Sequence, residues 1–550
     1  MIGKPDEGNR TSSGARLDLA DIQGNILTAY GKLGFPKGRF ITLHVSNPEA
    51  GRAFLRSMFP RVTTALRWPS RHDSAPAASI RSDGRVPERP ACTLNLAFTY
   101  WGLFALNVPL RTLERMPNAF VDGMRARARI LGDNLPDGAL GKWDKAWAQE
   151  NEPMSGRAVH ILVTLNCDMN PATGDPVPAL EEMTDFVRAA CADSEGGVEI
   201  VPGHGPTGEE FQELSAVCDW NEQLGQWVPT AREHFGYTDG IGDPVFEGQY
   251  DADSEKRRLP GNGKLTFGKD GEDIWKPLAT GEFLLGYRDE ASELPVAPAP
   301  SIFSRNGTFM AYRKLYENVE AFDEYLDGSA AEFAEVYGID SKAEARATLM
   351  AKFSGRWQDG VPLSLAPTYA DWQQFNRDNT DAMERYGLLS QFTFRDDVAG
   401  AKCPASSHIR RVNPRDALGP REDDGSILTN RRRILRRGLP YREPAIGAGQ
   451  ESGIVMLVCC ASLERQFEFV QQQWLNYGMD NDAGNDTCPL LGVRPDGKVK
   501  FAIPGDSAKG QPPYFCSNLP QFVETRGGAY FFVPSMSALK MMALGTIDPT

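Results

Sequence analysis

The chain has 550 residues, 41% hydrophobic and 24% charged, which excludes wholesale disorder and exceeds what one ordinary core organises. Acidic side chains outnumber basic ones 73 to 59, a formal charge of −14, which argues against a nucleic-acid partner or an anionic membrane surface. Gly and Pro, at 54 and 39 residues, stand above their usual share, so long turn-rich loops between ordered elements are expected.

The N-terminal stretch MIGKPDEGNRTSSGARLDLADIQGN has no apolar run of the kind an export signal needs, and no twin arginine. Apolar runs such as Ile454 to Ala461 are far shorter than the roughly 20 residues that span a bilayer. The nine cysteines are odd in number and none sits in CxxC spacing, so reduced, packed thiols are expected. Together these features predict a cytoplasmic protein without a membrane segment.

In chain order, five segments repeat one plan: a β-rich apolar run, a short turn, then a helix-period stretch. Arg39–Ser46 (RFITLHVS) precedes NPEAGRAFLRSMF, and Ala158–Asn166 (AVHILVTLN) precedes PVPALEEMTDFVRAAC. In the second half Thr308–Lys314 precedes NVEAFDEYL, Gly453–Cys460 precedes LERQFEFVQQQWLNYG, and GGAYFFVP leads into SMSALKMMA. Recurrence in both halves predicts two α+β domains of similar plan. The boundaries read from composition are an N-terminal segment 1–35, a first domain 36–248, an extended connector 249–300 and a second domain 301–550. Residues 396–430 are too irregular for core strands or helices.

Six histidines can be weighed one by one. His44 and His160 lie in strands and read as packed residues. His72, among charge and proline in SRHDSAP, reads as solvated. His204 sits in GHGPTG, which formally satisfies GxGxxG, but Pro206 interrupts it and no βαβ unit surrounds it, so a dinucleotide site is rejected. His234 opens HFGYTDGIGDP, where Gly236, Gly240 and Gly242 flank Asp239. Such glycines permit close backbone approach to a flat, bulky group, although Asp-Gly is also an ordinary turn dipeptide. His408, in CPASSHIRRVNPR, is followed by Arg410, Arg411 and Arg415. The cluster reads either as a surface basic loop or as a metal ligand beside a site for carboxylates or phosphates.

Taken together these stretches resemble the dye-decolorizing peroxidases, a family of haem enzymes. Five segments match in order: LADIQGNIL (Leu19–Leu27), GYTDG (Gly236–Gly240), GEFLLGY (Gly281–Tyr287), HIRRVNPR (His408–Arg415) and ILRRGLPY around Arg436. The long chain and the HIRRxNPR tract look most like the branch holding the fungal enzymes and their bacterial relatives. The resemblance implies two ferredoxin-like α+β domains with antiparallel sheets, similar to a dimeric α+β barrel, with haem b held mainly by the second domain.

It also implies roles. His408 would be the axial ligand of the haem iron, Asp239 the distal acid–base residue and Arg436 the distal cation, with Gly236, Gly240 and Ile241 forming the loop around Asp239. Arg411 and Arg415 would pair with the haem carboxylates. Ile454 and Met456 would line the open face, and Asp486 would hydrogen-bond the axial histidine, although Cys488 directly precedes the Pro489–Gly492 run that usually follows that acid. Tyr441 and Trp474 are candidate relays to the surface for donors too large for the pocket.

The implied activity is reduction of hydrogen peroxide with one-electron oxidation of dyes, phenols or similar aromatic donors. A carboxylate base such as Asp239 stays ionised in acid where histidine is protonated, so an acidic optimum is expected. The alternatives are a haem-handling, deferrochelatase-like protein with incidental peroxidase activity, and an α+β protein without a cofactor. The oligomeric state is open.

Overall fold

The computed structural model describes residues 17–69, 79, 85–133, 142–148, 155–419, 424–446, 449–493, 501–506 and 510–548. Nine strands form one antiparallel sheet. The first half of the chain supplies β1 (Lys37–Val45), β2 (Cys92–Phe98), β3 (Ile161–Cys167), β4 (Val198–Ile200) and β5 (Gln212–Ser215). The second half supplies β6 (Thr308–Glu317), β7 (Leu435–Pro444), β8 (Gln450–Cys460) and β9 (Val523–Val533). The order is β7-β8-β6-β9-β2-β3-β1-β4, with β5 also paired to β1.

The expected strand–helix units are all present. β1, β6, β8 and β9 each run into a helix whose first turn is capped by a side chain at the strand exit: Asn47, Asn318, Ser462 and Ser535 accept backbone N–H bonds there. Each cap satisfies donors that the first helical turn leaves open. β3 leads into the helix Ala179–Ala192. The helices after β6 are the longest packed pair, Val319–Tyr337 against Lys342–Ser354.

The two halves meet at a narrow seam. β9 and β2 share a single paired position, Phe532 with Phe98. Gln23 reinforces it: its side chain donates to Leu96 O and Pro534 O, both at 2.9 Å, and accepts from Leu96 N at 2.9 Å. At the opposite edges β7 comes alongside β5, where Gln212 Nε2 donates to Glu443 at 3.4 Å, so the sheet curls towards a barrel without closing.

The concave interior is one apolar core drawn from both halves, with Phe40, Leu96, Val163, Tyr312, Val455 and Phe531 among its buried members. It also encloses an ionic cluster. Lys314 is fully buried and donates to Asp144 and Glu443, both at 2.7 Å, with its ammonium 4.7 Å from the Tyr441 ring centre. Two further clusters lie outside the sheet, one between the long helices and Phe501 and Phe522, the other around Trp357 and Phe394. The loop before residue 249 packs into these: Phe235 and Tyr237 join the first and Ile241 the second.

Segment 249–300, read as an extended connector, carries the helix Ala252–Arg258 and a hairpin of Lys264–Phe267 with Asp273–Lys276. His44 and His160 are buried and stacked with ring centres 4.3 Å apart. His204 lies in a tight turn bridged to Glu209 and packs inside the core edge. His72 lies outside the described residues. All nine cysteines are free, and among the described residues no helix is long and apolar enough to cross a membrane.

Candidate active site

The site begins with the glycine loop. Gly236, Gly240 and Gly242 adopt positive φ of 95°, 78° and 81°, a region costly for residues with a Cβ. The loop between them is held from several sides. Glu233 accepts N–H bonds from Phe235 and Tyr237 at 2.8 and 2.6 Å, Tyr237 Oη donates to Met350 O at 2.7 Å, and Asp239 N donates to Ala231 O at 2.7 Å. Asp239 is thereby presented to Arg436 on β7, whose Nη1 donates to Asp239 Oδ1 at 2.8 Å and Nη2 to Ile241 O at 3.1 Å. The Asp239 charge raises the Arg436 pKa above its ordinary value, against the opposing effect of burial. Their side chains keep 40% and 47% of their surface open, and both line a large cavity.

That cavity measures about 2170 Å³, well above the roughly 300–1,000 Å³ of ordinary small-molecule pockets. Strand alternation supplies part of its wall. On β8 the partly open positions Ile454 and Met456 face it while Val455 and Leu457 enter the core. Opposite Met456 on β7 stands Gly438, where a Cβ would lie 2.1 Å from Val455 O. Phe235, Phe467, Val470, Leu475 and Leu490 add apolar surface.

His408 opens a one-turn helix, His408–Val412, and lines the same cavity. The preceding loop is anchored by Lys352, whose buried ammonium donates to Ala401 O and Lys402 O at 2.9 and 2.6 Å, and by Ser407 Oγ donating to Lys352 O at 2.5 Å. Burial pushes Lys352 down to about 8. His408 Nδ1 lies 3.4 Å from Cys488 Sγ, which leaves Nε2 as the ring nitrogen without a protein partner among the described residues.

Three buried guanidiniums complete the wall. Arg415 donates to Gly261 O and Phe392 O, Arg433 to Gly263 O and Asn262 O, and Arg356 to Gly360 O and Leu389 O. Among the described residues none of the three has an ion pair. Burial lowers all three pKa values, Arg433 and Arg356 to about 10, and Arg415 is lowered further by the charges of Arg433 and Arg356. Buried cations whose hydrogen bonds go to carbonyls rather than to carboxylates suit an incoming anion. A flat apolar group carrying carboxylates, with one coordination site for an imidazole, fits this donor set.

Of the residues singled out from sequence, Asp239, Gly240, Ile241, His408, Arg415, Arg436, Ile454 and Met456 line the cavity together. Gly236, Arg411 and Asp486 are not among its lining residues. Arg411 is fully buried and spends its donors on Trp474 O, Tyr477 O, Asp486 O and Ser406 Oγ, a brace for the chain behind His408. Asp486 accepts from Ala502 N at 3.1 Å, and Cys488 holds the place beside His408. Tyr441 and Trp474 are buried, at 0% and 2% exposure, so neither is a surface relay. Arg356 and Arg433 were not signalled by spacing: Arg356 stands alone in SGRWQ, and Arg433 is one of three successive arginines, Arg431 to Arg433, of a kind that usually faces solvent. GEFLLGY is structural: Glu282 is buried and pairs with Arg465 at 3.0 Å.

Residues 21–168 match the model of the DyP dimeric alpha+beta barrel domain. The chain is 25% identical to Peroxidase 2 of Mycetinis scorodonius over 97% of its own length and 89% of that protein. It is 28% identical to the multifunctional dye peroxidase DyP2 of an Amycolatopsis strain over 76% of each. The fold matches the crystal structure of a fungal DyP-type peroxidase from Auricularia auricula-judae with a TM-score of 0.69, at 22% identity, over 96% of this chain and all of that one. With the barrel-like sheet and near full-length relatives in agreement, the chain is similar in sequence and fold to the dye-decolorizing peroxidases over nearly its whole length.

Proposed function

We propose that the chain is a haem b peroxidase that reduces hydrogen peroxide to water and takes one electron from each of two aromatic donors, such as phenols or dyes. The observation that carries this reading is that His408 opens into the same cavity as the Asp239–Arg436 pair. His408 would hold the haem through Nε2, and Arg415, Arg433 and Arg356 are the cations available to its carboxylates. Haem b, so bound, would supply the redox-active iron for peroxide reduction.

The chain's own residues supply the proton chemistry. Asp239 accepts the proton from the inner oxygen of peroxide and delivers it to the outer oxygen, which leaves as water. Arg436, fixed by Asp239 and Ile241 O, keeps its positive charge and directs donors at the negative charge that develops as the O–O bond breaks. Ile454, Met456 and the neighbouring apolar wall keep water sparse around that charge, which strengthens both effects.

A haem-handling role needs the axial histidine and the cations but has no use for an acid–base pair salt-bridged at 2.8 Å, and that pair favours turnover. The test is titration of the apoprotein with haem b, followed by peroxide and 2,6-dimethoxyphenol, the ligand bound to one structural relative. Uptake of one haem that His408→Ala abolishes, with peroxide-dependent oxidation of the phenol, is the expected result. Haem uptake with no oxidation supports the haem-handling role instead.

A further inference from the structure

We propose that Cys488 is the positioning residue for the axial histidine, setting the orientation, tautomer and electron donation of His408. The inference rests on the haem reading above and specifies what tunes it.

Cys488 Sγ lies 3.4 Å from His408 Nδ1, within hydrogen-bond range for sulfur, and no other bond to Nδ1 exists among the described residues. The thiol is fully buried and rigidly placed. Its own N–H donates to Leu475 O at 2.8 Å, Leu491 N donates back to Sγ at 3.4 Å, and Gly492 N donates to Cys488 O at 2.9 Å. Gly492 permits this tight turn, because a Cβ there would meet Cys488 O at 2.5 Å. From the other side Arg411 braces Trp474 O, Tyr477 O and Asp486 O, fixing both segments between which the thiol sits.

An imidazole that donates from Nδ1 presents Nε2 as its lone pair, and the strength of the Nδ1 acceptor sets how much charge reaches the bound metal. Sulfur is a softer and longer-range acceptor than a carboxylate oxygen, so donation through His408 is intermediate between that of an imidazole with no partner and one paired to Asp. The partner at Nδ1 is Cys488 rather than Asp486, whose side chain accepts from Ala502 N at 3.1 Å.

The test uses haem-loaded wild type and the Cys488→Asp, Cys488→Ser and Cys488→Ala variants, read by two spectroscopic observables. These are the iron–histidine stretching frequency of the ferrous protein in resonance Raman and the ferric/ferrous midpoint potential. The expected order of stretching frequency is Asp above Cys above Ala, with the potential shifting in the opposite sense and Ser closer to Cys than Ala is. Frequencies and potentials unchanged across the series overturn the proposal. If Cys488→Asp does not fold, the near-isosteric Ser and the smaller Ala decide it, because a merely structural thiol moves stability and not the iron–histidine band. His408→Gly separates the two readings: an iron–histidine band in wild type that this variant loses and added imidazole restores upholds the haem reading even where Cys488 proves silent. Absence of that band in wild type overturns both.

Discussion

Arg436 and Asp239, 197 positions apart in sequence, meet through an Nη1–Oδ1 hydrogen bond of 2.8 Å at the wall of one cavity. The relationship joins a glycine loop to a sheet strand. In the proposed reaction the two act together: the carboxylate holds the guanidinium in line, and the guanidinium would provide fixed charge where the carboxylate moves a proton. Because the base is a carboxylate rather than an imidazole, peroxide reduction should proceed best in acid. A profile of kcat/KM for peroxide against pH is expected to peak below neutrality; a peak at pH 7 with collapse below about pH 5 contradicts that assignment.

The buried arginines yield a prediction about binding that is independent of turnover. Arg433→Gln removes one of the two cations that repel Arg415 while leaving an amide able to reach Gly263 O or Asn262 O. Apoprotein stability is expected to change by less than about 1 kcal/mol, whereas haem affinity falls roughly 10- to 100-fold, the equivalent of about 1.5–3 kcal/mol for a charge-assisted bond. Fluorescence-quenching titration with haem, beside thermal melts of apoprotein and holoprotein, measures both.

Two carboxyl groups, Glu233 and Glu317, face the cavity and make stability depend on pH. Burial pushes Glu233 up to about 7, and Glu317 is raised well above its ordinary value by burial and by the neighbouring Glu233 charge. The folded chain therefore keeps protons there that the unfolded chain releases above its ordinary value of 4.5. This contribution is full below that value and is lost as pH rises through about 7. Glu317→Gln retains an acceptor for His234 N and removes the titrating group, so its melting temperature should fall less between pH 6 and 8 than that of wild type, on the order of a few degrees. Parallel slopes for the two proteins contradict the retention of a proton on Glu317 in the folded chain.

Inside the curled sheet one ammonium, Lys314, is shared between two buried carboxylates. Lys314→Met leaves Asp144 and Glu443 facing each other without a cation, and is expected to cost about 3–5 kcal/mol in chemical denaturation. A loss under about 1 kcal/mol would mean that water or a shared proton takes over the role of the ammonium.

Much of this was readable from local patterns. Strand followed by polar cap followed by amphipathic helix is a short-range signal, and Asn47, Asn318, Ser462 and Ser535 carry it in the sequence itself. The glycine loop and the HIRRVNPR tract were equally visible because positive φ and clustered arginines restrict residue type. Long-range pairings were not. Nothing near Phe98 announces that it joins Phe532, nor does Gln23 reveal that it spans that seam. Strand alternation, applied to β7, turns Tyr441 inward beside Lys314 while Arg436 faces the cavity, a distinction that five residues of spacing fixes only once the strand is known. Cys488 was visible directly before the Pro489–Gly492 run, but charge suggested Asp486, and the backbone turn through Gly492 brings the thiol to His408.

The most direct measurement is stopped-flow absorption of the haem-loaded protein mixed with one equivalent of hydrogen peroxide, comparing wild type with Asp239→Asn. A rapid spectral change in wild type that slows by about 10²–10⁴-fold in the variant, with the resting spectrum and haem content unchanged, is the predicted result. Equal rates in the two proteins, or a wild-type spectrum indifferent to peroxide, would contradict the assignment of Asp239 as the acid–base group of a peroxidase.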